Sequence, residues 1–411
     1  MKIAVISKGD RLTGGASRVA DDLARWLHEE GHAVTHFCRY FHPSPAPFQQ
    51  HLGGPWVVRK IVQKLHGAGR RLGFPQVVPF EYFARLRWLR DSFDLFHFHD
   101  LSSAVSYETL VALSRHKPVV FTVHDCSAFT GGCIYPMGCE KFKTECGSCP
   151  QLGTRPLNTK FDHTRFMQRQ RFRAAKQPGI QYVFPSQWIA QEALSVLSLH
   201  RPAMQLPYGI DSARMRSTPK TEARQKLGLP QDCPIILISA HHLLDKRKGV
   251  THALEAVRRV ADLSPILITM GQPDPSLESK VPGIPVVSFG FVEETEKMAL
   301  IFSAADVFVI ASLMDNSPLV IYEAMAAGTA TVGFAAGGIP DLVVPGETGL
   351  LVPVMDDDAL AAALRRVLSD RNLLQKWGTN ARQRLEKHFS RRVFMEKHYA
   401  LYRDFMQDFR K

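Results

Sequence analysis

The run from Asp306 to Phe334, DVFVIASLMDNSPLVIYEAMAAGTATVGF, is the stretch that most restricts the fold. DVFVIA and TATVGF are short, apolar and rich in β-branched residues, as buried strands are, while the segment between them has helical composition and ends in glycine. Strands joined through a helix pair in parallel, because a parallel connection needs a crossover, so this stretch predicts an α/β domain. Ser317 is suited to N-cap the helix, Pro318 to its first position, where a missing N–H is harmless, and Gly328 to ending it after about ten residues.

Asp315 and Glu323 stand eight positions apart around that helix start. Glu323 is the only charged residue of an otherwise apolar helix, and burying a carboxylate is costly unless it is bonded. The loop follows the carboxyl end of a strand, where α/β sheets bind ligands, and the helix start framed by Asn316, Ser317, Pro318 and Leu319 favours an anion. Carboxylates, in contrast, suit hydroxyls. A ligand carrying both phosphates and hydroxyls, such as a nucleotide sugar, answers both features; a structural carboxylate beside an ordinary turn residue is the alternative these two residues leave open.

At 411 residues the chain exceeds what one core usually holds. The expected division is 1–212, 213–388, and an aromatic-rich helical segment 389–411 that crosses back to the first domain. No run reaches the ~18 apolar residues of a membrane span. MKIAVIS runs straight into GDRLTGG as a strand and glycine loop, which predicts a cytoplasmic protein without a leader. A formal net charge of +12, from 51 basic and 39 acidic residues, favours an anionic substrate, membrane surface or polyanion. Nucleic acid is not an expected partner, since there is no Cys2His2 spacing, RRM-like aromatic strand or long basic groove-reading helix.

In the first half, Gly14 and Gly15 open a helix expected over 16–30, half of a phosphate-binding fingerprint that lacks GxGxxG. Two strand-like runs, FDLFHFHD and KPVVFTVHD, end in His97, His99 and Asp100, and in His124 and Asp125. An imidazole at such a strand end is a candidate general base or hydrogen-bond donor, with His124 the leading one and His99 the lesser. Between the glycine loop and these strands, residues 57–90 are basic. Val57, Val58, Ile61, Val62 and Leu65 alternate there with Arg59, Lys60 and Lys64, followed by Arg70, Arg71, Arg85, Arg87 and Arg90. That spacing predicts a basic amphipathic helix, packing on its own domain or lying on an anionic membrane.

Five of the seven cysteines fall between residues 126 and 149. Cys133, Cys139, Cys146 and Cys149, separated by five, six and two residues, suit a closed structural zinc site within an insertion over 126–150; unligated thiols or labile disulfides are the alternative. In the second half, Lys246, Arg247 and Lys248 precede Gly249 at a helix start after the strand PIILISA, a corner able to hold a diphosphate.

Taken together, the GG loop, the HD after a strand, the KG corner and DNSPLVIYEAMAAGTATVGFAAGGIPDLV resemble the retaining glycosyltransferases of family 4 over nearly the whole chain. HDCSAFTGGCIYPMGCEKFKTECGSCP further resembles a bacterial exopolysaccharide and colanic-acid-type subgroup. The resemblance implies a GT-B fold, two Rossmann-like domains facing across a cleft, with the acceptor on the first and a nucleoside-diphosphate sugar on the second. It implies that Glu323 binds ribose hydroxyls, that Lys248 and Arg247 bind phosphate, that Asn316 and Ser317 offer backbone donors, and that Gly14 and Gly15 lie near diphosphate and acceptor. Asp315 stands where relatives carry a glutamate that contacts the donor sugar.

The implied reaction moves a hexosyl group to a hydroxyl of a saccharide acceptor with retention, His124, Lys248 and Asp315 acting at the reacting centre. No catalytic metal is expected, since the cations replace it. A role in exopolysaccharide or other surface-glycan synthesis follows from the same resemblance. A lipid-linked acceptor would put the protein peripherally on the inner face of a membrane. A transferase for a soluble small-molecule or natural-product acceptor, or a sugar-nucleotide or polysaccharide-binding protein without turnover, are the rival readings.

Overall fold

The computed structural model describes residues 1–40, 45–74, 77–99, 101, 105–272 and 276–410. Asp100 and part of the proline-bearing run 42–48 lie outside the described residues. The chain divides into two compact units, Met1–Pro207 with Met395–Lys411, and Tyr208–Phe394.

In the first unit the main elements are β1 (Lys2–Gly9), α1 (Gly15–Glu29), β2 (Ala33–Tyr40), β3 (Gln49–His51), α2 (Trp56–Arg71), β4 (Leu95–Phe98), β5 (Val119–Thr122), α3 (Thr164–Ala175), β6 (Ile180–Phe184) and β7 (Met204–Gln205), with shorter helices, among them Tyr107–Ser114 and Gln187–Leu194, between. The strands form one sheet in the order β3-β2-β1-β4-β5-β6-β7, parallel throughout. Ile3, Ala4, Val5 and Ile6 of β1 have no exposed surface, as expected of a central strand covered on both faces.

The second unit contains β8 (Ile235–His242), α4 (Val250–Arg258), β9 (Ile266–Gln272), β10 (Val286–Ser288), β11 (Val307–Ile310), α5 (Leu319–Ala327), β12 (Ala330–Phe334), β13 (Gly349–Val352) and α6 (Arg371–His388). Its sheet is also parallel, in the order β10-β9-β8-β11-β12-β13. A last helix, α7 (Arg391–Phe409), carries the chain from the second unit into the part counted with the first.

Both sheets reverse direction of growth once, between β1 and β4 and between β8 and β11. At such a switch point the loops leaving two adjacent strands part to opposite faces and open a crevice at the carboxyl edge, the usual ligand position of a Rossmann-like domain. The strand–helix–strand expected over 306–334 is present as β11, α5 and β12. Gly328 ends α5 in the left-handed conformation, φ 75°. One local expectation needs correction. Pro318 occupies the cap position and no side-chain hydrogen bond caps the helix, because the Ser317 hydroxyl is taken by the Tyr322 hydroxyl at 2.7 Å.

Candidate functional site

In the second unit the site is built by two loops that leave neighbouring strands. After β8 the chain makes a single helical turn at Lys246–Lys248, capped by the Asp245 side chain, which accepts from the Arg247 N–H. Gly249 follows with φ 60°, and a Cβ there would lie 1.9 Å from the Ala311 carbonyl oxygen. Only glycine lets the corner sit this close to the end of β11. The contact is stitched by the Leu313 N–H donating to the Arg247 carbonyl at 2.8 Å and the Arg247 guanidinium donating to the Met314 carbonyl at 3.0 Å.

That stitching brings together charges 67 residues apart in the chain. Lys248 Nζ lies 2.6 Å from Asp315 Oδ2, and Arg247 Nη1 lies 3.3 Å from the same oxygen. Asp315 is buried. Burial opposes its ionisation, but Lys248 and Arg247 outweigh that and hold the carboxyl below its ordinary range. Its other oxygen accepts from the Asn316 N–H at 3.1 Å. On the far side, Gly337 adopts φ 56° with room for no side chain, its Cβ position being 2.0 Å from the Asp315 carbonyl oxygen, and the Gly338 N–H donates to that carbonyl at 2.9 Å. The GGIPD run is thereby a clamp on the Asp315 loop.

Asn316 and Ser317 are buried in the turn before α5, and Pro318 and Leu319 begin the helix. Glu323 is buried too, on the second turn of α5. The sequence-predicted Arg247, Lys248, Asp315, Asn316, Ser317, Pro318, Leu319 and Glu323 thus belong to one switch-point loop pair and its helix. Two cations, a helix N-terminus and a buried carboxylate can hold a ligand bearing both phosphate and hydroxyls.

In the first unit Gly14, φ 146°, caps α1, and a Cβ on it would meet no protein atom within 4 Å, so the backbone angle and not crowding by the protein calls for glycine there. His99 and His124 follow β4 and β5, which are adjacent parallel strands, and His99 Nδ1 lies 3.0 Å from His124 Nε2. His97 is fully buried, with Nδ1 2.7 Å from the Tyr402 hydroxyl of α7 and Nε2 2.8 Å from Thr122 Oγ1. Burial pushes His124 down to about 3. Burial likewise holds His97 and His99 well below the usual imidazole range, so all three are neutral at physiological pH. The sequence predicts a last helix that crosses back to the first domain, but nothing in it pairs Tyr402 with His97.

Cys133, Cys139, Cys146 and Cys149 line one small pocket, together with Phe142, Leu157 and Thr164. The expected zinc site finds no support in this arrangement: among the described residues no group of three or more His, Cys, Asp or Glu side chains is placed to hold a metal ion. Hydrogen bonds order the insertion instead. Buried Gln168 of α3 accepts from the Cys146 N–H at 2.8 Å and donates to the Phe142 carbonyl at 2.7 Å, and Lys141 Nζ reaches the Ser148 carbonyl at 2.8 Å.

The predicted basic amphipathic helix is α2, yet its apolar stripe does not pack inward. Val62 is buried, whereas Trp56, Val57, Ile61 and Leu65 are exposed, Trp56 by 63%. Exposed Lys60 and Lys64 stand on the same face, and further along the chain Trp88 is 70% exposed with the Arg87 guanidinium over its ring. No helix of the described residues is long and apolar enough to cross a membrane.

Comparison with known proteins agrees with this architecture. Residues 13–214 match the family described as Glycosyltransferase Family 4, and residues 219–384 match Glycosyl transferases group 1. A putative colanic acid biosynthesis glycosyl transferase, WcaC of Escherichia coli K12, is 29% identical over 250 residues, which span 57% of this chain and 58% of that protein's own length. Sucrose-phosphate synthase from Thermosynechococcus elongatus superposes over 99% of both chains with a TM-score of 0.77 at 23% identity. Anabaena Alr3699/HepE in complex with UDP-glucose covers 98% of this chain and 99% of its own, with a TM-score of 0.65 at 17% identity. The structural likenesses establish the fold and the sequence matches the lineage: the chain belongs to the GT-B-fold glycosyltransferases of the family 4 and group 1 superfamily.

Proposed function

We propose that this protein transfers a hexosyl group, with retention, from a nucleoside-diphosphate sugar to a hydroxyl of a saccharide acceptor in surface-glycan synthesis. The observation that carries the reading is the cationic corner at the β8/β11 switch point, Lys248 and Arg247 gathered on Asp315 at the start of the helix that bears Glu323. Leaving-group charge builds on the diphosphate as the glycosidic bond breaks. A lysine with three N–H donors can keep Asp315 and still meet a phosphate oxygen, so the corner is oriented before the donor arrives. Glu323 takes the ribose hydroxyls, and Asp315, fixed from both sides, takes the sugar. His124, held neutral, serves the reacting sugar or acceptor by hydrogen bonding rather than by charge, and Gly14 and Gly15 supply close backbone approach to diphosphate and acceptor. The similarity to WcaC, a putative glycosyl transferase of colanic acid biosynthesis, and the UDP-glucose held by HepE support this reading.

The acceptor is read as lipid-linked. Exposed tryptophans beside lysine and arginine on α2 and around Trp88 are what an anionic bilayer surface binds, since aromatic rings suit the interface and cations its charge. On this reading the protein works from the cytoplasm, peripherally on the inner leaflet. Cosedimentation with anionic and neutral vesicles tests this: binding to anionic vesicles that weakens with salt supports it, and a soluble acceptor is favoured if neither vesicle binds.

A further inference from the structure

The two imidazoles at the ends of β4 and β5 make only one hydrogen bond between them that the geometry fixes, His99 Nδ1 to His124 Nε2 at 3.0 Å. Both rings are neutral, and each therefore carries a single N–H. One of the two nitrogens must donate and the other accept. His99 is 2% exposed, and its other nitrogen, Nε2, is buried with no hydrogen-bond partner among the described residues.

If His124 donated from Nε2, the proton of His99 would have to sit on its own Nε2, leaving a buried N–H without an acceptor. If His99 donates from Nδ1, the unpartnered Nε2 is a bare lone pair. Buried orphan N–H groups are rarer than under-satisfied acceptors, because an unbonded donor forfeits its hydration with nothing in return. The second arrangement is therefore the stable one, and it forces the proton of His124 onto Nδ1.

We propose that His99 is a positioning residue that donates from Nδ1 to His124 Nε2 and so locks His124 as the Nδ1–H tautomer, a neutral hydrogen-bond donor and not a base. The proposal rests on the reading of His124 as a residue of the reacting centre. A purely architectural role for His99 is a poor account of the site. His97, two residues earlier and tilted against it with ring centroids 4.2 Å apart, has both nitrogens satisfied by Tyr402 and Thr122, as a structural histidine should. His99 instead keeps one nitrogen unsatisfied, a cost that a buried apolar residue would avoid.

The test compares the intact wild-type protein with His99→Asn, whose side-chain amide can donate from the place of Nδ1, and His99→Leu, which cannot donate. Long-range proton–nitrogen correlation spectra of histidine-labelled protein, with the His124 signals identified by their loss in His124→Gln, read the tautomer directly. Wild type and His99→Asn should show His124 protonated at Nδ1, and His99→Leu should lose that preference while remaining folded. In transfer assays kcat of His99→Leu should fall about 10- to 100-fold with donor KM changed far less, and His99→Asn should recover most of it. A wild-type His124 protonated at Nε2, or a tautomer unmoved in His99→Leu, overturns the proposal. Absence of sugar transfer by every variant, wild type included, would instead overturn the reading of the activity, and the spectra would still decide the tautomer.

Discussion

Lys248 Nζ sits 2.6 Å from Asp315 Oδ2, in a corner where Arg247 reaches the same oxygen at 3.3 Å. The carboxylate is the less exposed partner, so its removal leaves two cations crowded without a counter-charge. Asp315→Ala should therefore lower stability by about 2–4 kcal/mol, and Asp315→Asn by somewhat less because the amide still packs. Chemical denaturation measures both. A phosphate-bearing donor should restore more stability to Asp315→Ala than it adds to wild type, since the diphosphate then supplies the missing charge.

Gly249 is the hinge on which that corner rests. With φ 60° and a Cβ position 1.9 Å from the Ala311 carbonyl oxygen, Gly249→Ala must push the Lys246–Lys248 turn away from β11. The expected loss is about 2–3 kcal/mol in unfolding free energy, with donor affinity reduced more than in Asp315→Asn. Gly14→Ala is the contrast. Nothing stands within 4 Å of its Cβ, so only the unusual backbone angle resists the change, and thermal unfolding should shift less.

The histidine cluster sets how stability depends on pH. Folded His124 has its proton affinity lowered to about 3 by burial, and His97 and His99 are lowered well below the ordinary value for the same first reason. Below about pH 6.5 the unfolded chain binds protons that the folded chain does not. Stability is thus full above that pH and falls as the solution is acidified toward 3, with a slope of up to about 1.4 kcal/mol per pH unit for each ring. His97→Gln and His99→Asn should each flatten this slope. Transfer activity, for its part, should show no imidazole titration from His124 between pH 5 and 8.

On the surface of α2, Trp56→Ala combined with Ile61→Ala should weaken binding to anionic vesicles at least about 10-fold without altering unfolding, because both side chains are exposed. Lys60→Glu with Lys64→Glu should abolish the salt-sensitive part of the binding. A loss of stability in the first pair would show that the stripe packs on protein rather than on lipid.

The parts of the fold set by local rules were legible in the sequence. Alternating apolar runs and helices gave two parallel α/β sheets, and Gly328 stopped its helix where a left-handed residue was needed. What was not legible depended on sheet order. Lys248 and Asp315 meet only because β8 and β11 are neighbours at the switch point, and His99 meets His124 only because β4 and β5 are. Ser317 has the chemistry of a cap but does not cap α5, because the Tyr322 hydroxyl five residues on engages its hydroxyl. The apolar stripe of α2 has the same period whether it faces a core or a bilayer, so periodicity alone left both open. Cysteine spacing could not say whether four thiols converge on one point, which depends on how the intervening loops bend.

The central claim is tested most directly by incubating the purified protein with a panel of nucleotide sugars and saccharide acceptors, and following product by mass. Wild type should stabilise on binding one donor and transfer its sugar, while Lys248→Ala and Glu323→Ala, folded as judged by circular dichroism, should lose about 10²-fold or more of kcat/KM. A wild type that binds a nucleotide sugar without transfer or hydrolysis, or a Lys248→Ala and Glu323→Ala pair that turns over at the wild-type rate, would contradict it.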